Sequence, residues 1–291
     1  KFQIKTITNE KQQTRNKKQQ TRNKKPETLY MNLSLENKNA LICGSTQGIG
    51  LATAQELALL GANCILFARN EQALQQAVQI LHTDAGQTHS YLIADFSKTD
   101  EVKEVIQKFV QQTAVHIVIN NTGGPAAGAI TEAAEDSFVN TFNQHLICNH
   151  IIAKAVIPAM KEAGYGRIIN IISTSVKIPL KNLGVSNTIR GAVASWAKTM
   201  ANELGQFNIT VNNVLPGFTK TQRLELLIEN IAHKSKVAAD MIESNMLEEV
   251  PMKRFAEAHE IAAAAAFLAS PAASYINGIN VPVDGGRTGS L

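Results

Sequence analysis

Three glycines constrain this chain most: Gly44, Gly48 and Gly50, in the stretch Gly44-Ser45-Thr46-Gln47-Gly48-Ile49-Gly50. They lie between a short apolar run, Ala40-Leu41-Ile42-Cys43, and a helical pattern over 49–60 that Gly61 closes. A glycine turn between a strand and a helix lets the backbone approach a phosphate closely. The helix start adds free N–H groups and a partial positive charge. The spacing is G-x-x-x-G-x-G rather than G-x-G-x-x-G, and glycines alone also suit a plain strand–helix connection. The flanking strand and capped helix favour a phosphate site.

The pattern repeats downstream. Apolar runs at 64–68, 91–94, 116–119, 167–172, 209–215 and 279–283 read as strands. Helical periodicity falls between them at 71–81, 101–111, 132–162, 186–204 and 260–269. Strands alternating with helices imply parallel βαβ units. We therefore expect one α/β domain over 31–291, a Rossmann-type doubly wound parallel sheet of about seven strands with helices on both faces. Such sheets bind ligands at the carboxyl ends of their strands.

Arg69 ends the second strand, 19 positions after Gly50, and Asn70 follows it. In a dinucleotide fold the adenosine ribose lies about there. An acidic residue suits the 2′-hydroxyl of NAD, and an arginine suits the 2′-phosphate of NADP. NADP(H) is thus the expected cofactor, with NAD less favoured; a solvated surface arginine is the plain alternative.

Charge is unevenly spread. Residues 1–30 hold nine Lys/Arg and two Asp/Glu, a net of +7 against +4 for the whole chain, which leaves −3 for residues 31–291. Residues 12–18 read QQTRNKK, and 19–25 repeat it. The repeat has no apolar face and cannot bury a core, so 1–30 is expected to be a disordered basic tail. Lys/Arg clusters also suit nucleic acid, but nothing else favours that partner. The chain opens on Lys1, and Met31 directly precedes the ordered pattern, which suggests a native start at Met31. No apolar stretch approaches membrane-span length and no secretory pattern is visible, so a cytoplasmic location is expected. Cys43, Cys64 and Cys148 form no CxxC and read as buried reduced thiols, and no metal site is expected.

Further residues complete a pattern: Asp95 after the third strand, Asn120-Asn121-Thr122-Gly123 after the fourth, and Pro216-Gly217 after the sixth. With the glycine turn and the end Asn277-Gly278-Ile279-Asn280-Val281-Pro282-Val283-Asp284-Gly285-Gly286, this resembles the short-chain dehydrogenase/reductase family. The nearest group is the 3-oxoacyl-acyl-carrier-protein reductases. The resemblance implies that Asp95 and Phe96 lie against the adenine and that Asn121 and Gly123 line the cofactor cleft. Pro216, Gly217, Thr219 and Thr221 would flank the nicotinamide. It also implies a homodimer or homotetramer paired through the helices at 132–162 and 186–204. Two departures stand out: Cys43-Gly44 replaces Thr-Gly, and NNTG, continued by Gly124-Pro125, replaces NNAG.

The family reduces carbonyls with a Ser, a Tyr and a Lys, the last two spaced Y-x-x-x-K on one helix face. No such pair exists here, because Ser34, Asp95, Ile169 and Ile279 stand four positions after the four tyrosines. Register through Gly191-Ala192, Lys198 and Asn202-Glu203-Leu204 puts Ser186 at the Tyr position and Arg190 at the Lys position. The family's Ser falls at Ser173 and its helix Asn at His145. Ser173 can still donate to a carbonyl, while Arg190 can bind ribose hydroxyls but cannot relay a proton. His145 titrates near neutrality when unperturbed, so it is either the proton donor, through water or Ser186, or a packed helix histidine. Leu224, Leu227, Ile228 and Ile231, then Met241, Ile242 and Met246, recur at helical spacing over 222–252. That segment reads as the substrate cover, its stripe serving as core or receiving an apolar substrate group, with Lys234 and Lys236 nearby.

The expected function is NADP(H)-dependent hydride transfer to or from a small-molecule carbonyl or alcohol, with a non-standard catalytic set. The alternative is a dinucleotide-binding sensor or scaffold without turnover. Deleting residues 1–30 is expected to leave both the unfolding temperature and NADPH affinity unchanged; a marked loss in either, by thermal melt or titration, refutes the tail's independence.

Overall fold

The computed structural model describes residues 31–290, so the expectation for residues 1–30 falls outside it. Strand β1 (Asn39–Cys43) shows how the sheet is built. Ala40 and Ile42 enter one apolar cluster, Leu41 and Cys43 another. Strand β2 (Asn63–Ala68) divides likewise, Cys64 and Leu66 from Ile65 and Phe67. Side chains alternate across a strand, so an unbroken apolar run belongs to a strand buried on both faces.

Five more strands follow: β3 (Ser90–Ile93), β4 (Ile117–Asn120), β5 (Gly166–Ile171), β6 (Ile209–Pro216) and β7 (Asn280–Val283). All pair in parallel, in the order β3-β2-β1-β4-β5-β6-β7. This is the expected doubly wound sheet. Helices α1 (Gly48–Leu59) and α2 (Glu71–Gln79) cover one face. Helix α3 (Thr99–Val110) lies on the other. Helix α4 (Glu135–Phe142) leads through one turn of π-helix into α5 (Cys148–Ala163), which joins α6 (Gly184–Leu204) on that second face. Helices α7 (Gln222–Ser235) and α8 (Ala239–Glu248) form the cover, and α9 (Ala258–Ala269) returns to pack on α1. Buried Ala54, Ala58, Ala262 and Ala265 keep both of those helices slim where the first face needs them close.

The helix expected over 132–162 starts three residues later, at Glu135, and runs to Ala163 with a π-turn inside it. A 3-10 turn spans Ile130–Glu132, and Ala133 and Ala134 are extended. Helix α4 starts at Glu135, whose carboxylate and that of Asp136 suit the positive helix start. The π-turn Asn143–Ile147 then adds a residue to one turn. Helical periodicity does not register one extra residue. The apolar stripe of the cover is also split. Leu224, Ile228, Met246 and Phe255 form a separate small core, whereas Ile231 and Met241 are exposed.

A row of amides crosses the sheet. Asn120 Nδ2 donates to Asn170 Oδ1, Asn170 Nδ2 to Asn213 Oδ1, and Asn213 Nδ2 to Asn280 Oδ1, each at 2.8 Å. The four residues are direct partners on β4, β5, β6 and β7. Asn120, Asn170 and Asn213 are buried. Replacing Asn170 with Leu strands one donor on Asn120 and one acceptor on Asn213. The expected loss is ~2–6 kcal/mol, two unmet buried groups at ~1–3 kcal/mol each. Denaturant titration checks it, and a loss below ~1 kcal/mol contradicts it.

Candidate active site

The sheet order reverses at β1 and β4, and the turns after these two strands meet. Gly44 follows β1 with φ 60°, and a Cβ there would overlap the Asn121 carbonyl oxygen. A Cβ on Gly50 would overlap the Gly44 carbonyl oxygen and stand 2.6 Å from Asn121 Nδ2. Only glycine fits both places. Asn121 Nδ2 donates to Gly44 O at 3.0 Å and so ties the second turn to the first.

Helix α1 begins here without a side-chain cap and without an acid in its first turn. Its leading N–H groups and positive end are left for a phosphate. Thr46 is half-buried beside exposed Gln47, and Ile49 packs partly into the first core. Ser45, expected among the cofactor contacts, is fully buried, and its Oγ accepts the Phe67 N–H at 3.0 Å. Its hydroxyl oxygen thus ties the turn to β2. The segment after β6 reaches the same turn: Thr221 Cγ2 lies 3.3 Å from where a Gly48 Cβ would stand. Gly217 N–H donates to Val283 O, and buried Thr219 donates its hydroxyl to Gly217 O. Pro216 ends β6 directly before them.

At the adenosine end, Arg69 is exposed and has no hydrogen bond or ion pair among the described residues. Asn70, also expected at the cofactor, accepts the Ala73 N–H and caps α2. Asp95 sits below the usual carboxylate range because the Ser97 N–H and hydroxyl bond it, with a smaller pull from Arg69. Phe96 sets its ring edge-on to Phe67, 5.0 Å between centroids. Cys43, Cys64 and Cys148 are buried free thiols; burial pushes Cys64 and Cys148 up to about 12.

Three of the positions expected to be catalytic, Arg190, Ser186 and Ser173, are joined through the end of β5. Arg190, on α6, is 8% exposed. Its Nε donates to Ser186 Oγ one turn back at 3.2 Å, and its Nη1 to the carbonyls of Ile171 and Ile172 at 3.2 and 2.7 Å. Burial, then the neighbouring Arg223 charge, lowers its pKa to about 10, so it remains a cation at neutral pH. Ser173 directly follows Ile172 and accepts the Ser175 N–H, which leaves its O–H free to donate.

His145 sits in the π-turn, 4% exposed. Its Nδ1 and Thr122 Oγ1 are 2.9 Å apart, and its Nε2 has no hydrogen-bond partner among the described residues. Burial, then the Arg190 charge, lowers its pKa to about 3. The ring is therefore neutral at working pH and holds no imidazolium proton to give. The side chain is hydrogen-bonded and packed, which fits the second of the two readings of this histidine. Exposed Gly123 lies beside Thr122.

One residue escaped the sequence reading. Arg223, two places after Thr221, donates Nη1 to Gly124 O at 2.8 Å and Nη2 to Pro125 O at 3.3 Å. The signal was the unusual Gly124-Pro125 continuation, which this side chain grips. Ser186 and Arg190, Thr122 and His145, and Gly124 and Arg223 are thus three hydrogen-bonded pairs, so the departures from the family pattern hold one another two by two.

The family model described as enoyl-(acyl carrier protein) reductase matches residues 44–288. The NADPH-dependent reductase BacG of Bacillus subtilis is 31% identical over 261 residues, which are 88% of this chain and 100% of that one. The 3-oxoacyl-[acyl-carrier-protein] reductase FabG of Chlamydia trachomatis is 32% identical over 256 residues, 87% and 98% of the two chains. Among solved structures, the L-sorbose reductase of Gluconobacter frateurii, in complex with NADPH and L-sorbose, superposes with a TM-score of 0.83 at 28% identity, covering 90% of this chain and all of that one. YwfH, an NADPH-dependent reductase of bacilysin biosynthesis, gives 0.82 at 31%, covering 87% and 99%. With a matching family model over most of its length, relatives above 30% identity and the sheet order just described, this chain belongs to the short-chain dehydrogenase/reductase family.

Proposed function

We propose that the chain is an NADP(H)-dependent oxidoreductase acting on a carbonyl or alcohol carbon. The observation that carries this is the uncapped, acid-free start of α1 behind the packed turn of Gly44, Gly50 and Asn121. Free Arg69 supports the 2′-phosphate, and the NADPH dependence of BacG and YwfH supports the same choice. The turn residues and the α1 N–H groups hold the pyrophosphate, and Asn121, Pro216, Gly217 and Thr221 border the nicotinamide half. When bound, the cofactor supplies the hydride.

The chain's own residues then manage the substrate oxygen. The free Ser173 O–H donates to it. The Arg190 charge, held behind Ser173 by the Ile171 and Ile172 carbonyls, favours negative charge developing there. Ser186 Oγ accepts from Arg190, so its own O–H is free to donate as well. No phenol or ammonium relay stands here, and the proton that completes the alcohol comes from water. Loss of a positioned acid costs about 10²–10⁴ in rate, which slows turnover without removing it. Exposed Val139 and Phe142 on α4 support assembly with further copies of the chain, and a cytoplasmic setting is part of the same proposal.

NADPH is expected to bind at least about tenfold tighter than NADH, with Arg69→Ala erasing most of the difference; equal affinities in fluorescence titration contradict the assignment. A panel of ketones and 3-oxoacyl thioesters should reveal NADPH oxidation. Tight binding without oxidation across it favours the sensor reading. His145 adds a pH signature. It takes up a proton in the unfolded chain below its usual 6.5 but in the folded one only near 3. Stability is therefore complete above pH 6.5 and falls as pH drops from there, by up to about 1.4 kcal/mol per unit. His145→Asn should flatten that fall and keep turnover within about tenfold of the parent; a loss of about 10²-fold or more restores the ring as proton donor.

A further inference from the structure

Among the described residues the two guanidiniums of the site, buried Arg190 and exposed Arg223, have no ion-pair partner. Arg190 engages Nε and Nη1 with the protein, but its Nη2 makes no hydrogen bond among the described residues. Arg223 reaches in from α7 and is fixed by the carbonyls of Gly124 and Pro125. Both side chains converge on Gly124: a Cβ there would stand 2.6 Å from Arg223 Nη2 and 3.1 Å from Arg190 Nη2.

The ion pairs among the described residues join other arginines, lysines and histidines, and none includes either of these two. Carbonyl oxygens satisfy N–H groups but do not neutralise them. Burial and the Arg223 charge both lower the Arg190 pKa, and burial lowers that of Arg223; no carboxylate pulls either back up. The buried His145, with Nε2 unpartnered, lies close enough to feel both charges. Arg190 is buried whereas Arg223 keeps one side in solvent, so the repulsion between them is partly screened; the buried charge is still left uncompensated until an anion joins it.

We propose that Arg190 and Arg223 form a seat for an oxyanion group of the substrate, so that the carbonyl compound handled here is an acid. Planar guanidinium forks suit the two oxygens of a carboxylate and also those of a phosphate. The position limits the substrate further. Ser173, the donor to the reacting oxygen, adjoins Ile172, whose carbonyl holds Arg190. The anion therefore sits a few bonds from the reacting carbon, as in a short oxo acid or a phosphorylated hydroxyketone. The identity of the reacting carbon rests on the oxidoreductase reading, whereas the seat is tested by binding alone.

The test uses the full chain saturated with NADPH. Calorimetric titration compares pyruvate, acetoacetate and levulinate with their methyl esters, and dihydroxyacetone phosphate with dihydroxyacetone. At least one anion is expected to bind about tenfold or more tighter than its neutral partner, with affinity falling as salt rises. The carboxylate and phosphate arms identify which oxyanion is seated. Arg223→Gln should remove the preference, Arg223→Lys should keep part of it, and NADPH affinity should stay within about twofold in both. Gly124→Ala, which pushes Arg223 aside, should reproduce the loss without removing a charge. Equal binding of every anion and its neutral partner, or no binding of any anion, overturns the seat. A fall in NADPH affinity of about tenfold in Arg223→Gln also overturns it, by assigning the arginine to the cofactor phosphates. NADPH oxidation is recorded separately: anion preference without oxidation leaves the seat standing and removes the reductase reading.

Discussion

The backbone of Gly44 rests against the carbonyl of Asn121, and much of the site hangs on that contact. It exists because β1 and β4 are neighbours in space while 77 residues separate Gly44 from Asn121. Chains leaving the two strands diverge to opposite faces, which opens a crevice at the strand ends. Gly50 must then pass the same point, and with three backbones at one spot there is no room for a Cβ on two of them. The start of α1 is aimed by this packing, and with it the N–H groups available to a phosphate. A change of register between β1 and β4 would dismantle the binding turn before touching any residue that faces a ligand.

Chemistry at the far end of the crevice depends on a different balance. A charge buried in a low-dielectric site is expensive, and here hydrogen bonds from two strand-end carbonyls and one hydroxyl hold Arg190 without neutralising it. Burial first, and then the same field, keeps His145 uncharged. Among the side chains that meet there, none gains or loses a proton near neutral pH. On the function proposed above, the site offers a fixed positive field and hydroxyl donors, which suits electrostatic stabilisation more than proton relay.

The parts legible in the sequence were those with a short-range cause. Burial on both faces made the central strands apolar runs, and the glycine turn announced itself because backbone crowding excludes other residues. Arg69 could be placed because it is counted along the chain from Gly50. The π-turn left no trace, since one added residue leaves the apolar spacing on either side intact. The partner of the Ser45 hydroxyl could not be read, because a serine in a turn looks the same whether its hydroxyl faces a ligand or a neighbouring strand. Arg223 was passed over because its partner, Gly124, is 99 positions away and offers only backbone. The amide row was invisible for the same reason: four asparagines align only once four strands have found their register.

That row has a consequence for how such a sheet can diverge. Its members lie on four strands, and each interior amide is both donor to one neighbour and acceptor from the other. Replacing all of them with apolar residues of similar shape exchanges one self-consistent core for another at little net cost. Every route taken one residue at a time passes through an orphaned amide. The row thus behaves as a single heritable character, kept or lost as a block, and an isolated asparagine at one of these positions in a descendant would mark a lineage caught between the two solutions.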